Sequence, residues 1–174
     1  MRIRLAAAQD LPAIQSIYAY HVLKGMASFE EEAPPLEEMR RRFEDVTRHG
    51  LPYLVAEDKA EVLGYGYCTL YRTRSAYRYT LEDSIYVKHG MQGKGIGKAV
   101  LGELIALCEA LNYRQIIAVI GDSANAASIA VHASLGFVRA GALRSTGYKF
   151  GRWVDTVIMQ RPLGPGDGSK PLAG

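Results

Sequence analysis

The sequence has little of what marks a secreted, membrane or metal-binding protein. Its 174 residues include two cysteines, Cys68 and Cys108. Two isolated thiols form no disulfide framework and no metal-ligand spacing, so we expect small buried side chains in a reducing compartment. No stretch reaches the roughly 18 uncharged apolar residues of a membrane span, and the N-terminal MRIRLAAAQD lacks the apolar core of a signal peptide. We therefore expect a cytoplasmic protein with no metal site.

A strong excess of one charge is also missing. The net charge is +3, which is too small and too dispersed to indicate a nucleic-acid-binding protein. Apolar residues make up 48% and charged residues 22% of the chain, as in ordinary globular proteins. The length is enough for one domain with a substantial core.

What is present is a regular succession of strand and helix patterns. Strands are predicted at 3–6, 53–57, 62–71, 80–88 and 115–120, and in the runs FVRAGALR and WVDTVIMQR. Helices are predicted after an N-cap at Asp10, at 36–49, at 97–112, and from Ser123 or Asn125 to a C-cap at Gly136. This order predicts one mixed α/β layer structure over residues 1–163. The Gly- and Pro-rich residues 164–174 are predicted to be disordered.

The segment MQGKGIGKAV, between a predicted strand and a predicted helix, has glycine at every second position from Gly93 to Gly97. A Walker A loop would need glycine at position 92 and Ser or Thr at position 99, and the chain has neither. A dinucleotide G-x-G-x-x-G fingerprint also fails. The remaining pattern, Q-x-x-G-x-G, lets backbone N–H groups approach a pyrophosphate at a helix N-terminus. A flexible strand-to-helix turn is the alternative.

These motifs together resemble the GNAT superfamily of N-acetyltransferases. The strand SIYV, the Q-x-x-G-x-G loop and the following helix resemble its acetyl-CoA site. Asn125, Ser128, His132 and Gly136-Phe137 match its later helix. The longer runs YRTRSAYRYTLEDSIYV, AVIGDSANAASIAVH and GYKFGRWVDTVIMQR look like the phosphinothricin and methionine sulfoximine/sulfone acetyltransferases, over roughly residues 2 to 163.

The resemblance implies a fold, a donor site and an assembly. The fold would be a single GNAT-like α/β (α+β) domain, with a central mixed, mostly antiparallel sheet flanked by helices. The implied partners are a small amino-acid substrate and a second copy of the chain in a homodimer, with KFGRWVD near the contact. In that segment, Trp153 has a simpler alternative as a core residue. The residues implied to bind acetyl-CoA are Ile85, Tyr86, Val87, Gln92, Gly93, Lys94, Gly95, Ile96, Gly97, Lys98, Asn125, Ser128 and Ser134.

Two residues are candidates for proton transfer. Glu82 is an acid inside an otherwise apolar strand, where partial burial raises a carboxylate pKa and suits a general base. Side-chain alternation puts Glu82 and Ser84 on one face of the strand and Asp83 on the other. His132 stands where the superfamily usually has tyrosine, so its imidazole could act as acid or base. A solvated acid and a helix-packing histidine are the simpler alternatives.

A cationic and aromatic segment precedes the Glu82 strand. The guanidinium groups of Arg72 and Arg74 suit the carboxylate of an amino acid, although a solvated basic loop is the alternative. The residues predicted to bind substrate are Phe29, Arg72, Thr73, Arg74, Tyr77, Glu82, Asp83 and Ser84. Polyamine and aminoglycoside acceptors need acidic clefts, and this segment is basic. A protein N-terminus as acceptor and a non-catalytic acetyl-CoA-binding module remain as alternatives.

Overall fold

The computed structural model describes residues 1–171, and residues 172–174 of the predicted tail lie outside the described residues. Its strands are β1 Arg2–Leu5, β2 Tyr53–Asp58, β3 Glu61–Leu70, β4 Thr80–Val87, β5 Gln115–Gly121, β6 Val138–Lys149 and β7 Arg152–Pro162. Its α-helices are α1 Leu11–Lys24, α2 Leu36–Arg48, α3 Ile96–Ala110 and α4 Ala126–Ala133. The element order agrees with the order that the periodicity predicts.

All seven strands form one sheet in the order β1-β2-β3-β4-β5-β7-β6. Only the central pair, β4 and β5, is parallel, and every other neighbouring pair is antiparallel. The parallel pair is joined by a crossover through α3, as a parallel connection requires. The sheet is therefore mixed and mostly antiparallel, which confirms the predicted fold class.

The helices cover both faces of the sheet. On one face, Tyr18 of α1 packs edge-on against Tyr86 of β4, with ring centroids 5.0 Å apart. On the other face, Val100 of α3 lies against Ile85 at Gly66, where a Cβ would be 2.6 Å from Ile85 and 2.8 Å from Val100. Both cysteines are fully buried, as predicted, and their sulfurs are 3.6 Å apart. No helix within residues 1–171 is long and apolar enough to span a bilayer.

The predicted side-chain cap at Asp10 is wrong. Asp10 stands at the N-cap position of α1, but its side chain makes no cap hydrogen bond there. The carboxylate instead accepts two hydrogen bonds from Arg4, at 2.7 and 2.8 Å, and one from the Ala7 N–H at 2.8 Å. The hydrogen bond from Arg4 is the main reason that the pKa of Asp10 is lowered. A bidentate ion pair to a neighbouring strand has replaced the local cap.

Strand β6 is longer than the sequence pattern predicts, and the predicted disorder of residues 164–174 stays a prediction. Strand β6 runs to Lys149, beyond the predicted FVRAGALR, because a bulge with Ser145 at φ 52° interrupts its pairing with β7 without ending it. The residues that follow β7 contact the rest of the chain through Arg114. Its side chain donates hydrogen bonds to the carbonyls of Gly166 and Lys170 and to Ser169 Oγ. The domain boundary at residue 163 stays a prediction.

Candidate active site

The sheet opens at its centre. Strands β4 and β5 pair only from Thr80–Gln115 to Asp83–Ala118, although β4 continues to Val87 and β5 to Gly121. Beyond Asp83 the two strands diverge, and a cleft lies between them. The residues that line it are Ala27, Asp83, Ser84, Ile85, Tyr86, Ala118, Val119, Ile120, Gly121, Asn125, Ser128 and His132.

The register of β4 shows which backbone groups face this opening. The Lys88 N–H donates to the Leu63 carbonyl of β3, at the end of a regular antiparallel ladder. Because backbone groups alternate sides along a strand, those of Ile85 and Val87 point away from β3, toward β5. No strand within residues 1–171 pairs with them on that side. An extended ligand can therefore add to β4 as a strand would.

His21, which no sequence motif marked as part of the site, hydrogen-bonds one of these backbone groups. Its Nε2 lies 2.8 Å from the Val87 carbonyl oxygen. Burial lowers the pKa of His21 below its ordinary value, so the ring is neutral at neutral pH and Nε2–H donates to the carbonyl. The Val87 carbonyl thus has a hydrogen-bond donor, and the Val87 N–H stays available at the opening.

The glycine loop has the backbone of an anion site. Gly93 and Gly95 have φ of 76° and 79°, a left-handed conformation that glycine adopts without strain. Nothing lies within 4 Å of the position of a Cβ at either glycine. The first intrahelical bond of α3 is from the Ala99 N–H to the Gly95 carbonyl, so the N–H groups of Ile96, Gly97 and Lys98 have no intrahelical acceptor. Gln92 shapes the turn by accepting from the Gly90 N–H at 2.8 Å.

Helix α4 brings two of its three predicted cofactor residues to the cleft. Asn125 caps the helix, with its Oδ1 accepting from the Ser128 N–H at 3.2 Å, which leaves the side-chain NH₂ free to donate. Both Asn125 and Ser128 line the cleft. Ser134 is exposed at the opposite end of α4, and its Oγ donates to the Val131 carbonyl. The structure does not bring Ser134 to the cleft.

Glu82 and Asp83 are neighbours in sequence, but they face opposite sides of the sheet, as alternation predicts. Glu82 stands opposite Thr69 of β3, in the same row as Ser84 and Tyr86 on the α1 face. Burial and the charge of Asp83 raise the pKa of Glu82, and the nearby charge of Arg72 opposes them. A half-buried carboxylate with a raised pKa is suited to accept a proton.

Asp83 and His132 form a buried pair on the α3 and α4 face. His132 Nε2 is 3.0 Å from Asp83 Oδ2, and Nδ1 is 2.7 Å from the Ser128 carbonyl oxygen. Their side chains are 5% and 2% exposed, so the contact is dry. Burial alone would lower the pKa of His132, but the hydrogen bond and charge of Asp83, together with the Ser128 carbonyl, raise it. Asp83 Oδ1 is buried without a partner within residues 1–171.

Apart from Glu82, Asp83 and Ser84 on β4, the predicted acceptor residues lie in two groups. Arg72, Thr73, Arg74 and Tyr77 line one pocket of about 300 Å³ just before β4. No carboxylate within residues 1–171 forms an ion pair with either arginine, and the Arg72 guanidinium lies 4.2 Å from the Tyr71 ring centroid. Phe29 lies apart from them, in the α1–α2 connection, against Gly121 at the end of β5.

A roomier cleft of about 640 Å³ lies between α1 and the β2–β3 turn. Its charged groups already have partners, because Asp10 pairs with Arg4 and Lys88 with Glu61. His89 at its rim stacks on Tyr20, with ring centroids 4.3 Å apart. Its lining residues include neither the open backbone edge of β4 nor the Asp83–His132 pair, so the β4–β5 opening is the stronger candidate active site.

Comparison with known proteins identifies the family of this chain. Residues 3–158 match the family model described as "Acetyltransferase (GNAT) domain". The chain belongs to the GNAT acetyltransferase family. It is 56% identical over 169 residues to a phosphinothricin N-acetyltransferase of Alcaligenes faecalis, covering 97% of this chain and 86% of that one. It is 40% identical to an L-methionine sulfoximine/L-methionine sulfone acetyltransferase of Pseudomonas aeruginosa, covering 94% and 95%.

A solved GNAT structure has the same fold throughout. The phosphinothricin acetyltransferase of Sinorhizobium meliloti, determined in complex with AcCoA, superposes with a TM-score of 0.97 at 49% identity, covering 99% of this chain and 94% of that one. These similarities confirm the resemblance to the phosphinothricin and methionine sulfoximine/sulfone branch of the GNAT acetyltransferases.

The contrast between the buried His132 and the partly buried His21 is a testable property of the site. We expect the imidazole of His132 to titrate above the ordinary value of 6.5 and that of His21 below it. Asp83→Asn removes the charge that opposes burial, so the pKa of His132 should fall. Imidazole NMR titration measures all three values. A His132 pKa below 6.5 in the unsubstituted protein, or one unchanged in Asp83→Asn, would contradict the assigned pair.

The same pair sets a direction for stability. The pKa of His132 is raised in the folded state. Protonated His132 therefore contributes to the free energy of unfolding, and this contribution is fully present at pH values below its pKa in the unfolded chain. This contribution is lost as the pH rises through the pKa of His132 in the folded protein.

Proposed function

We propose that this protein transfers the acetyl group of acetyl-CoA to the α-amino group of a small amino acid, in the cytoplasm. The acceptors we propose are L-methionine sulfone, L-methionine sulfoximine and phosphinothricin. The observation that carries the proposal is the β4–β5 opening, with Glu82 on one face of the sheet and the Asp83–His132 pair on the other. The names of the relatives support the choice of acceptor, and the solved relative with AcCoA supports the donor.

The chain can hold acetyl-CoA by its backbone. Its pantetheine arm would add to β4 beside Tyr86, using the free groups of Ile85 and the N–H of Val87. Its pyrophosphate would lie on the loop 92–98, where unpaired N–H groups and the positive end of the α3 dipole favour an anion. Lys94 and Lys98 supply charge there, and the Asn125 amide donates from the opposite wall. The Val87 N–H is also the donor that would polarise the thioester carbonyl.

The two faces of the sheet divide the proton chemistry. Glu82 accepts a proton from the acceptor amine on the α1 face, so that the nitrogen lone pair can attack the thioester carbon. As the carbon–sulfur bond breaks, the thiolate leaves on the other face, where His132 supplies a proton. The hydrogen bond and charge of Asp83 raise the pKa of His132 and so favour its protonated form. We therefore assign Asp83 to His132 rather than to the acceptor.

The acceptor side is basic and aromatic. Arg72 and Arg74, which have no ion-pair partner within residues 1–171, would bind the acceptor carboxylate. Ser84, whose hydroxyl hydrogen-bonds Tyr67, lies on the same face of β4 as Glu82, two residues further along the strand. Thr73, Tyr77 and Phe29 would line the remaining wall. This distribution of charge fits an anionic amino acid better than a polyamine or an aminoglycoside.

The edge of the sheet supports a homodimer. Strand β6 is an edge strand of twelve residues, almost all of them exposed. Val138 and Leu143 are 65% and 53% exposed along this strand, and Tyr148, Phe150 and Trp153, which are 58%, 56% and 63% exposed, form an apolar patch at its C-terminal end. The alternative of Trp153 as a core residue is therefore wrong. A second copy would cover this patch, which a lone soluble chain rarely exposes.

Sedimentation velocity tests the dimer. We expect a dimer at micromolar concentration, and Trp153→Ser should weaken it because it removes apolar area at the patch. A 19.1 kDa monomer for the unsubstituted chain would contradict the proposal.

An acceptor panel tests the function. With acetyl-CoA as donor, thiol release should be fast with L-methionine sulfone, slower with its carboxamide and slowest with spermidine, since only the free acid offers a carboxylate to the arginines. Because Arg72 and Arg74 are exposed, loss of their ion pair with the carboxylate should cost about 1 kcal/mol. Equal rates on the acid and the amide would refute the carboxylate role, and release with none of the amines would refute the proposed activity.

Glu82→Gln tests the general base. The amide keeps the shape of the side chain but cannot accept a proton, and a positioned base contributes about 10²–10⁴-fold. We expect a loss of turnover in that range with acetyl-CoA affinity unchanged, and partial recovery at high pH, where the free amine is abundant. Glu44→Gln, on the exposed face of α2, is the matched control. A variant that stays within a few-fold of the unsubstituted enzyme would remove Glu82 from this role.

A further inference from the structure

The connection between α1 and α2 forms a wall of the cleft. Ala27 lines the cleft, and the Phe29 ring lies against two glycines from different strands. A Cβ at Gly147 of β6 would be 2.4 Å from that ring, and a Cβ at Gly121 of β5 would be 2.4 Å from the Met26 carbonyl oxygen. The segment Gly25–Glu30, which we call the acceptor loop, is therefore seated closely on the sheet.

The buried side chain of Lys149 hydrogen-bonds this loop. It is the last residue of β6, a strand whose other residues are almost all exposed, and yet it is only 1% exposed. Its Nζ donates to the Gly25 carbonyl at 2.9 Å and to the Ser28 carbonyl at 2.7 Å, across more than 120 residues of sequence. The Phe150 ring centroid lies 5.0 Å from the same ammonium group. The sequence suggested a place in the dimer contact, whereas the structure buries this side chain inside its own chain.

Packing alone does not account for a lysine here. Burying an ammonium group is costly unless hydrogen bonds replace its water, and an apolar side chain would fill the same space without that cost. Two charge-assisted bonds to carbonyls offset the burial. Both carbonyl groups that accept these hydrogen bonds belong to the acceptor loop, so the lysine fixes the loop at two points three residues apart.

The acceptor loop contacts residues that pack against the cleft. Ser28, whose carbonyl Lys149 holds, also bonds through Oγ to the Tyr18 hydroxyl at 2.9 Å and accepts the Glu30 N–H at 3.2 Å. The Tyr18 ring packs against Tyr86, which lines the cleft on the Glu82 face. A displaced loop would thus move the wall that an acceptor meets and leave the glycine loop of the donor site untouched.

We infer that Lys149 is a positioning residue for the acceptor: it holds the Gly25–Glu30 loop in the conformation that completes the acceptor side of the cleft. This inference rests on the proposed function for its kinetic consequence, but not for its structural one. A misplaced wall lowers the rate without altering the chemical groups, and a displacement of about 1 Å can cost on the order of 10²-fold.

The test compares Lys149→Met, Lys149→Arg and the control Lys24→Met, which removes a lysine exposed beside the same loop. For Lys149→Met we expect faster hydrogen exchange at the amides of residues 26–30, with β4 and α3 unchanged. kcat/KM for the acceptor should fall about 10- to 100-fold, mainly through KM, while acetyl-CoA affinity stays within about twofold. Lys149→Arg keeps charge and donors and should recover part of both effects. Lys24→Met should match the unsubstituted protein.

The inference would be overturned if Lys149→Met changed neither the hydrogen exchange of the loop nor the KM for the acceptor. It would also be overturned if Lys149→Arg were as impaired as Lys149→Met in both measurements. A loss that follows dimer dissociation in sedimentation would also overturn it, because the lysine would then act through the interface. If Lys149→Met does not fold, Lys149→Gln, which is shorter and uncharged and keeps only an amide N–H donor, should show the same changes to a smaller extent, and no change in loop exchange or acceptor KM would overturn the inference. Loop exchange is measured without turnover, so failure of the proposed activity remains distinguishable from failure of this inference.

Discussion

The structure depends on the point at which two parallel strands part. β4 and β5 pair through Asp83 and Ala118 and then diverge, which leaves the backbone groups of Ile85 and Val87 without a strand partner in a largely buried sheet. Unpaired buried backbone groups are costly, so such an opening persists only when other groups or a ligand satisfy it. His21 satisfies one carbonyl, and the remaining groups form a ready edge for an extended ligand. The crossover through α3 places the anion-binding loop at the end of that same edge.

The opening also explains why the site needs groups on both faces of the sheet. An acyl transfer from a thioester to an amine has to remove a proton from the nucleophile and return one to the leaving group. Adjacent residues of one strand point to opposite faces, so Glu82 and Asp83 serve the two sides. Their environments differ accordingly. Glu82 is half-buried with its pKa raised by desolvation, whereas Asp83 is paired with a buried histidine whose pKa it raises.

Local patterns in the sequence were enough for the element order, the glycine loop and the opposite facing of Glu82 and Asp83. Each depends on spacing within a few residues, where periodicity and backbone geometry act directly. Contacts between distant segments were not predictable in this way. Asp83 meets His132 across 49 residues, His21 meets Val87 across 66 and Lys149 meets Ser28 across 121. The Asp10 cap was wrong for another reason, because the Arg4 side chain, only six residues away, competes for the carboxylate.

The claim that the diverging edge of β4 binds the donor is tested most directly by amide hydrogen exchange at single-residue resolution, with and without acetyl-CoA. The account predicts that acetyl-CoA slows exchange at Ile85 and Val87 and at residues 96–98, while Ser84 and Tyr86, already bonded to β3, change little. Unchanged exchange at Ile85 and Val87 with saturating acetyl-CoA, or protection confined to the cleft between α1 and the β2–β3 turn, would contradict it.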